Sequence, residues 1–451
     1  MTECNQTVFL FEAHFSRRVE GCFDGAAMTT DGGALLLRAV DKKIRLLQRV
    51  AACFRDGRAA QRIEHELSAL LAQRIYGLAL GYEDLNDHEE LRHDALLGVL
   101  AGKRELERPL AGKSTLNRLE LTPAEEPHRY HKIRYSRAGL DALLVEIFLE
   151  AHAQPPREIV LDLDVTDMPL HGQQEARFFH GYYGHYCYLP LYIFCGEHLL
   201  CARLRPANQD ASAGSVEEVA RIVAQLRQRW PRVRIILRAD SGFCREELMA
   251  WCENHAVDYV FGLARNSRLR RKIAAEMRQA KKEHQSTGKA ARVFAEFSYR
   301  TRQSWSRQRR VVAKAEYLAK GENPRFVVTS LEASSWPAQK LYEQRYCARG
   351  EMENRIKEQL SLFSDRLSTE TLRANQLRLY FSSLAYVLMH ALRRLALAGT
   401  AWATAQVETI RLRLLKIAAE VRLSARRIWV RYSRAYPWKN LFATAHAALS
   451  G

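Results

Sequence analysis

The spacing of apolar residues changes character near residue 150. From residue 30 to residue 150 they recur three or four positions apart, as they do on one face of a helix. The clearest runs are 35–47, preceded by Thr30 and Asp31 as candidate caps, and 58–80, with shorter helices at 88–100 and 114–120. We therefore predict an all-helical region over 30–150. It follows an arm at 1–29 that is rich in phenylalanine and is either a docking arm or a disordered leader.

Beyond Pro155 and Pro156 strands alternate with helices. Only Gly196 and Glu197 separate the second and third predicted strands, which is the length of a tight hairpin. Close turns followed by crossover helices indicate an α/β class, with a mixed sheet covered on both faces. Residues 151–264 would form its first part, with strands at 159–166, 186–195, 198–204, 234–239 and 259–263, and helices from 215 and over 244–254.

The following segment, 265–335, is crowded with arginine and lysine and contains β-like runs at 292–300, 309–318 and 325–330. We predict a small basic β-rich module inserted into the α/β domain. The second part of that domain would follow as helices over 336–400. The tail, 401–451, is predicted to hold a basic helix at 410–423 and a short strand at 427–432.

The chain is strongly basic. Its 451 residues include 69 Lys and Arg against 51 Asp and Glu, a net charge of +18. This excess suggests a polyanion, most simply double-stranded DNA. A membrane is not expected as a partner, because no apolar run reaches the ~20 residues that a spanning helix needs. The start of the chain has no signal-peptide pattern and the nine cysteines form no C-x-x-C pair, so a cytoplasmic location is expected.

A superficial nucleotide-binding motif can be set aside. The segment A-G-K-S-T at 111–115 resembles part of a phosphate-binding loop, but Glu107 stands where that loop needs its first glycine. No strand is predicted before it. We therefore predict no nucleotide cofactor.

Two carboxylates share one face of the first predicted strand, I-V-L-D-L-D-V-T. Alternation places Asp162 and Asp164 together, opposite the leucines. Buried acids repel each other unless they are protonated or bridged by a cation. The strand is therefore a candidate for metal binding, and an edge strand with a solvated face is the alternative. Asp240 follows the fourth strand, at the carboxyl end where open α/β sheets bind ligands.

A third acid lies on the helix predicted after residue 337. Tyr346, Arg349, Glu353 and Lys357 are spaced by three, four and four positions, so they share one helical stripe. If the first and fourth strands are neighbours, the two aspartates converge and this helix can cross the same end of the sheet. Three carboxylates without a softer ligand suit Mg²⁺, or Mn²⁺ as a substitute.

These motifs make residues 150–400 resemble the DDE transposases of bacterial insertion sequences, which have an RNase H-like core. The first motif is Asp-x-Thr at 164–166, and the second is an aspartate followed by glycine and an aromatic residue at 240–243. The third and most specific is Tyr-x-x-Arg-x-x-x-Glu, ending at Glu353. The insertion matches the branch with a β-strand insert. The family's lysine seven residues after the glutamate is Leu360 here, and Lys357 is the candidate replacement.

The resemblance implies specific roles. Asp164, Asp240 and Glu353 would be the catalytic residues and would hold two Mg²⁺ ions for in-line phosphoryl transfer. Tyr346 and Arg349 would hold the DNA end. Such proteins cut at the terminal inverted repeats of their element and join the freed 3′ ends to target DNA. A homodimer is expected, because both DNA ends must be held together, and the region 30–150 is our choice for repeat recognition and dimerisation.

Several residues have two interpretations. Asp162 could be the ligand in place of Asp164, which we prefer for its neighbouring threonine. Trp305 is a candidate for stacking on an extruded base, or for anchoring the β module. For Arg270, Arg271 and Lys272 we favour contacts with DNA phosphates over a solvated face.

A run of histidines in an aromatic segment also has two interpretations. The histidines at 171, 180 and 185, near Cys187, suggest either a zinc site or, preferably, packing around the active site. The whole protein could instead be a nuclease or resolvase on the same core, or a non-catalytic DNA-binding protein. A bacterial, nucleoid-associated protein is expected.

Overall fold

A computed structural model describes residues 8–123 and 130–451. Two compact units are present. The described parts of Met1–Ala51, Arg58–Leu119 and Ala391–Gly451 form the first, and those of Ala52–Gly57 and Glu120–His390 form the second. No helix in the described part of the chain is both long and apolar enough to cross a membrane.

Strands and helices follow one another along the chain in this order: β1 (Phe9–His14), β2 (Arg17–Gly21), β3 (Met28–Thr29), α1 (Leu35–Ile44), α2 (Leu46–Ala52), β4 (Phe54–Asp56), α3 (Leu67–Leu80), α4 (Asp87–Leu91), α5 (Ala95–Leu100), α6 (Lys113–Glu120), β5 (Ile133–Tyr135), α7 (Arg137–Glu150), β6 (Glu158–Val165), β7 (Met168–Pro169), β8 (Phe178–His180), β9 (His185–Tyr188), β10 (Leu191–Cys195), β11 (His198–Arg203), α8 (Ser215–Arg229), β12 (Arg234–Ala239), α9 (Glu246–Asn254), β13 (Asp258–Leu263), α10 (Ser267–Lys272), α11 (Ala274–Thr287), β14 (Ala291–Tyr299), β15 (Arg309–Leu318), β16 (Gly321–Glu322), β17 (Arg325–Thr329), α12 (Ala338–Lys340), α13 (Gly350–Ser361), α14 (Leu372–Ala396), α15 (Val407–Ile410), β18 (Ala419–Leu423), β19 (Ile428–Tyr432) and α16 (Lys439–Ser450).

A nine-stranded mixed sheet organises the second unit. Its order is β11-β10-β6-β12-β13-β17-β15-β14, and β16 pairs with β15. Strand β12 is parallel to both β6 and β13, whereas β10 runs antiparallel to β6. The first and fourth strands of the sequence prediction, β6 and β12, are therefore neighbours, which is the condition under which the two aspartates converge.

The two faces of β6 enter different cores, as alternation along the strand predicts. Leu161 and Leu163 lie in a large cluster with Val219 of α8. Val160 packs on the opposite side, against a cluster that contains Leu341. Both faces of the sheet are thus covered by helical residues, and the mixed α/β class is confirmed.

The inserted strands extend this sheet and form no sheet of their own. Strand β17 pairs antiparallel with β13, from Val260↔Thr329 to Leu263↔Phe326, and β15 and β14 follow. Helices α10 and α11 precede them. Alternation predicted the three strands, but it carries no information about their partners. The inserted β module is therefore a continuation of the main sheet.

The prediction that 30–150 is all-helical is wrong at two short strands. Strands β4 and β5 pair through Phe54↔Tyr135 and Asp56↔Ile133. Three residues are too few to show a period of two. Helix α7 also belongs with the large sheet, because its Val145 and Phe148 lie in the sheet's main core.

The arm and the tail of the first unit contain further strands. Within the described part of the arm, β1 and β2 form an exposed antiparallel hairpin. The helix predicted for 410–423 ends early: Arg411–Leu415 is a π-helical turn, and Ala419–Leu423 is strand β18, paired with β19 and β3. Helix α16 was not predicted.

The strand predicted for 186–195 is divided in two. Pro190 lacks the N–H that a continuous ladder requires, and it separates β9 from β10. Strand β9 then joins β7 and β8 in a small three-stranded sheet, ordered β7-β9-β8. This small sheet follows directly after the strand that carries Asp164.

Candidate active site

Two of the predicted acids end adjacent parallel strands. Strands β6 and β12 pair in register through Arg238↔Asp162 and Ala239↔Leu163. Asp164 is the next residue along β6, and Asp240 directly follows the last residue of β12, so they lie at the same end of these two strands. The Asp240 carboxylate also accepts the Gly242 N–H at 2.8 Å and caps a short 3-10 turn.

The carboxylate of Asp162 is paired with an arginine from the next strand. The Arg238 guanidinium donates to both of its carboxylate oxygens, at 2.5 and 2.8 Å, and both side chains are buried. A third donor of Arg238 reaches the Arg345 carbonyl at 2.7 Å. A carboxylate held in such a bidentate pair is a structural partner. This favours Asp164 as the functional acid.

The helix predicted after residue 337 is irregular where it crosses the sheet. Residues Leu341–Tyr346 form a π-helical turn and Cys347–Arg349 a 3-10 turn, before α13 begins at Gly350. Insertions of this kind re-aim side chains and recur at functional sites. The Arg345 guanidinium binds Glu158 at the start of β6, at 2.6 Å, which ties the π turn to the sheet.

Arg349 connects the first and third motifs. Its guanidinium donates to Asp164 Oδ2 at 2.8 Å and to Glu353 Oε1 at 3.2 Å. Asp164 is largely buried and Glu353 is exposed. Residues almost two hundred positions apart are thus brought together by one side chain.

The electrostatics of Asp164 reflect these neighbours. Burial raises the pKa of its carboxyl to about 6, and the nearby charge of Asp240 acts in the same direction, while Arg349 opposes the shift. A buried acid with a raised pKa, next to a second acid at one end of a sheet, is typical of functional sites.

Tyr346 packs over Gly262 of β13, a residue that the sequence analysis did not identify as part of the site. A Cβ added to Gly262 would lie 2.6 Å from the Tyr346 hydroxyl oxygen and 2.9 Å from the Ser241 backbone nitrogen. Only glycine leaves this space for the tyrosine beside the Asp240 loop. A glycine inside a strand is the signal that could have identified it.

No three His, Cys, Asp or Glu side chains among residues 8–123 and 130–451 are grouped so that they could hold a metal ion. Arg349 lies between Asp164 and Glu353. The donors nevertheless fit a hard divalent cation in their chemistry, because they are all carboxylate oxygens. The mutual repulsion of Asp164 and Asp240 is the feature that such a cation would relieve.

The histidine-rich run has a packing role in the residues described. His185 Nε2 lies 2.8 Å from Asp167 Oδ2, and Cys187 is fully buried in a small apolar cluster. These contacts agree with the preferred interpretation of packing and hydrogen bonding.

The remaining predicted DNA-binding residues differ in exposure. Trp305 is 5% exposed and packs edge-to-face on Tyr299 in the main core, which favours the anchoring interpretation over base stacking. Arg270 pairs with Glu322 at 2.8 Å, and the Lys272 ammonium lies 5.0 Å from the Phe297 ring. Arg271 on α10 and Lys357 on α13 are exposed.

Fold and site together define a mixed α/β protein with an acidic site at the ends of two parallel strands. The family described as Transposase DDE domain group 1 matches residues 11–451, so the chain belongs to this transposase family. No curated protein matches the chain.

Among solved structures, the chain is similar to the piggyBac transposase synaptic complex with hairpin DNA, determined by cryo-EM. The identity is 10% and the TM-score 0.41, over 87% of this chain and 82% of that chain.

Proposed function

We propose that this transposase binds the terminal inverted repeats of a bacterial insertion sequence, cleaves the DNA ends and joins the 3′ ends to target DNA. The observation that carries the proposal is the contact of Arg349 with both Asp164 and Glu353, beside Asp240. This contact joins the first and third motifs, and Asp240 of the second motif follows β12, the strand next to β6.

Asp164, Asp240 and Glu353 are the proposed ligands of Mg²⁺, with Mn²⁺ as a substitute. Bound divalent ions stabilise the attacking and leaving oxygens of a phosphoryl transfer. Arg349 supplies a guanidinium that suits a DNA phosphate. Tyr346, wedged over Gly262, positions that end of the helix against the Asp240 loop.

We propose that β11-β10-β6-β12-β13 is the RNase H-like core that the resemblance implies. Its support is the order of the five strands and the antiparallel placement of β10 next to β6. Within this core the insertion would extend the sheet beyond β13.

Double-stranded DNA is the proposed partner, in agreement with the net charge of +18. A homodimer would hold both DNA ends at once. We propose that the region 30–150 recognises the repeats, and that an arm at 1–29, an insertion at 265–335 and a tail at 401–451 accompany it.

The test is Asp240→Asn in the full chain, assayed on DNA that carries the element's ends with Mg²⁺. We expect loss of cleavage and joining with end binding retained, because the substitution removes a ligand charge and little volume. Asp258→Asn is the matched control, since this aspartate begins β13 at the opposite end of the sheet. Full activity of Asp240→Asn would refute the proposal, and cutting by the unsubstituted chain without joining would favour a nuclease or resolvase.

A further inference from the structure

One buried arginine links the three segments that carry the sequence motifs. Arg238 lies on β12, two residues before Asp240. Its guanidinium holds both carboxylate oxygens of Asp162, which lies two residues before Asp164 on β6. Its third donor reaches the Arg345 carbonyl at 2.7 Å, in the π turn that leads to the third motif. A single side chain, only 6% exposed, thus connects β12, β6 and the helix.

The pair of Arg238 and Asp162 lies directly below the two aspartates of the candidate site. The two residues are register partners on adjacent parallel strands. Alternation along β6 places Asp162 on the same face as Asp164. Two residues of an extended strand rise by about 7 Å, so a displacement of the pair would reach both aspartates within a single step of each strand.

The surroundings of this pair are apolar. Val160 and Ile236, two residues before Asp162 and Arg238 on the same strands, pack in a cluster with Leu341 of the π turn. Burying two charges here costs desolvation energy that an apolar pair of comparable shape would avoid. The pair is therefore better explained by the geometry that its hydrogen bonds impose than by a gain in stability.

The planar guanidinium fixes direction as well as distance. Two of its donors hold β6 against β12, and the remaining donor holds the main chain of the helix four residues before Arg349. The position of that helix decides where Arg349 and Glu353 meet Asp164. A lysine would supply the same charge without the rigid fork of donors.

We propose that Arg238 is a positioning residue for the metal site: through Asp162 and the Arg345 carbonyl it sets the separation between Glu353 and the two aspartates. This inference rests on the proposed function, because the ligands that it positions are those of the same site. Groups that hold metal ligands in place without binding the metal contribute about 10- to 100-fold to metal affinity or activity.

Variants of the full chain separate position, charge and stability. Arg238→Lys keeps the charge and loses the fork, and Arg238→Met combined with Asp162→Leu replaces the pair by apolar side chains. The matched control is Arg309→Lys. Buried Arg309 also holds a carboxylate in a bidentate pair, that of Glu253 at 2.7 and 3.0 Å, and its strand β15 lies three strands from β12. The measurements are Mn²⁺ affinity without DNA by paramagnetic resonance, cleavage of a bound DNA end in a single turnover, DNA affinity and urea unfolding.

We expect Arg238→Lys and the double variant to bind Mn²⁺ at least about tenfold more weakly and to cleave at least about tenfold more slowly. DNA affinity should stay within about twofold, because a buried pair lies away from the surface that meets DNA. The double variant should need at least as much urea to unfold as the unsubstituted chain. Arg309→Lys should need less urea and keep its Mn²⁺ affinity within about twofold.

Two results would overturn the positioning role. If Arg238→Lys bound Mn²⁺ and cleaved like the unsubstituted chain, the fork would have no part in the site, and this comparison decides even where the double variant does not fold. Equal losses of Mn²⁺ affinity in Arg238→Lys and Arg309→Lys would show that any broken buried pair has the same effect. If the unsubstituted chain neither bound Mn²⁺ nor cut the DNA ends, the proposed function itself would fail.

Discussion

At the scale of single residues, Arg349 pairs with two of the three proposed metal ligands. Its single guanidinium donates to both Asp164 and Glu353, in the space that a cation shared by these acids would use. The same side chain is the proposed partner of a DNA phosphate. A move of Arg349 from carboxylate to phosphate would expose the acids when DNA arrives.

Arg349→Ala should therefore bind Mn²⁺ more tightly in the absence of DNA, because a positive charge 2.8 Å from Asp164 is removed. We expect at least about a tenfold gain, equivalent to about 1.4 kcal/mol. Paramagnetic resonance of free Mn²⁺ measures it. Arg349→Lys keeps the charge and should show a smaller gain; an unchanged or weaker affinity in Arg349→Ala would contradict the competition.

Asp164→Asn should change the dependence of stability on pH. The folded pKa of this carboxyl, about 6, exceeds its unfolded value near 3.8, so the folded state binds more protons and the unsubstituted chain loses stability as pH rises through this window. The asparagine variant avoids the loss. Compared with the unsubstituted chain, this variant should be more stable above pH ~6, by up to about 3 kcal/mol, and equally stable below pH ~4.

Urea unfolding of both chains between those pH values tests this expectation. A difference that is constant across the range would show that the asparagine acts through packing and not through charge.

At the scale of elements, the contact of the π turn with β13 positions the site. Gly262→Ala should destabilise the chain by about 1–3 kcal/mol and displace Tyr346, because the added methyl group would lie 2.6 Å from its hydroxyl oxygen. In a Tyr346→Phe background, which removes that oxygen, the cost should be smaller. Thermal unfolding of the unsubstituted chain, the two single variants and the double variant gives the coupling free energy between residues 262 and 346. If the two changes in stability were simply additive, the contact would be excluded.

Another carboxylate joins three elements of the second unit. Buried Glu218 of α8 accepts from Arg137 of α7 at 2.8 Å, from Arg203 of β11 at 2.7 Å and from Arg221 at 3.0 Å. Glu218→Gln would remove the carboxylate charge that these arginines share, although Arg137 keeps Asp141 at 3.4 Å, and should cost about 3–5 kcal/mol in denaturant unfolding. The exposed neighbour is the control: Glu217→Gln should stay within about 0.5 kcal/mol.

The hydrophobic pattern predicted strands and helices well where a segment was long enough for the pattern to repeat. The strand 234–239 agrees with β12, and the two-residue hairpin at Gly196 is present. The π turn at Leu341–Tyr346 was not predicted, because the side chains of a π turn follow no distinct sequence period. The contact of Arg349 with Asp164 could not be predicted either, since it depends on that turn and on strand order.

At the scale of the whole molecule, charge should govern DNA affinity. Binding by a chain of net charge +18 should fall steeply with salt. Arg271→Ala, which removes an exposed cation of α10, should reduce the slope of log affinity against log salt by about 1. Arg270→Ala should reduce it less, because its guanidinium is already paired with Glu322.

Fluorescence anisotropy at several salt concentrations measures both slopes. If neither substitution changed the slope, α10 would lie outside the DNA footprint and its charges would form a solvated face.

Composition and motifs predicted the class of partner, but they could not place the insertion in the molecule. Its strands are ordinary alternating runs, and their pairing with β13 depends on a free sheet edge that the sequence does not reveal. The same limit applies to β4 and β5, which are separated by more than seventy residues.

The hydrogen bonding of β17 to β13 has a mechanical consequence. Four steps across the sheet separate β12, which delivers Asp240, from the outermost strand β14, and at about 4.8 Å each they span about 19 Å. Each strand in that series is hydrogen-bonded to the next, so the distance between the outermost strand β14 and the strand β12 is fixed. A DNA duplex bound at β14 would therefore lie at a fixed distance from the carboxylates. Changing that distance would require breaking hydrogen bonds between the strands.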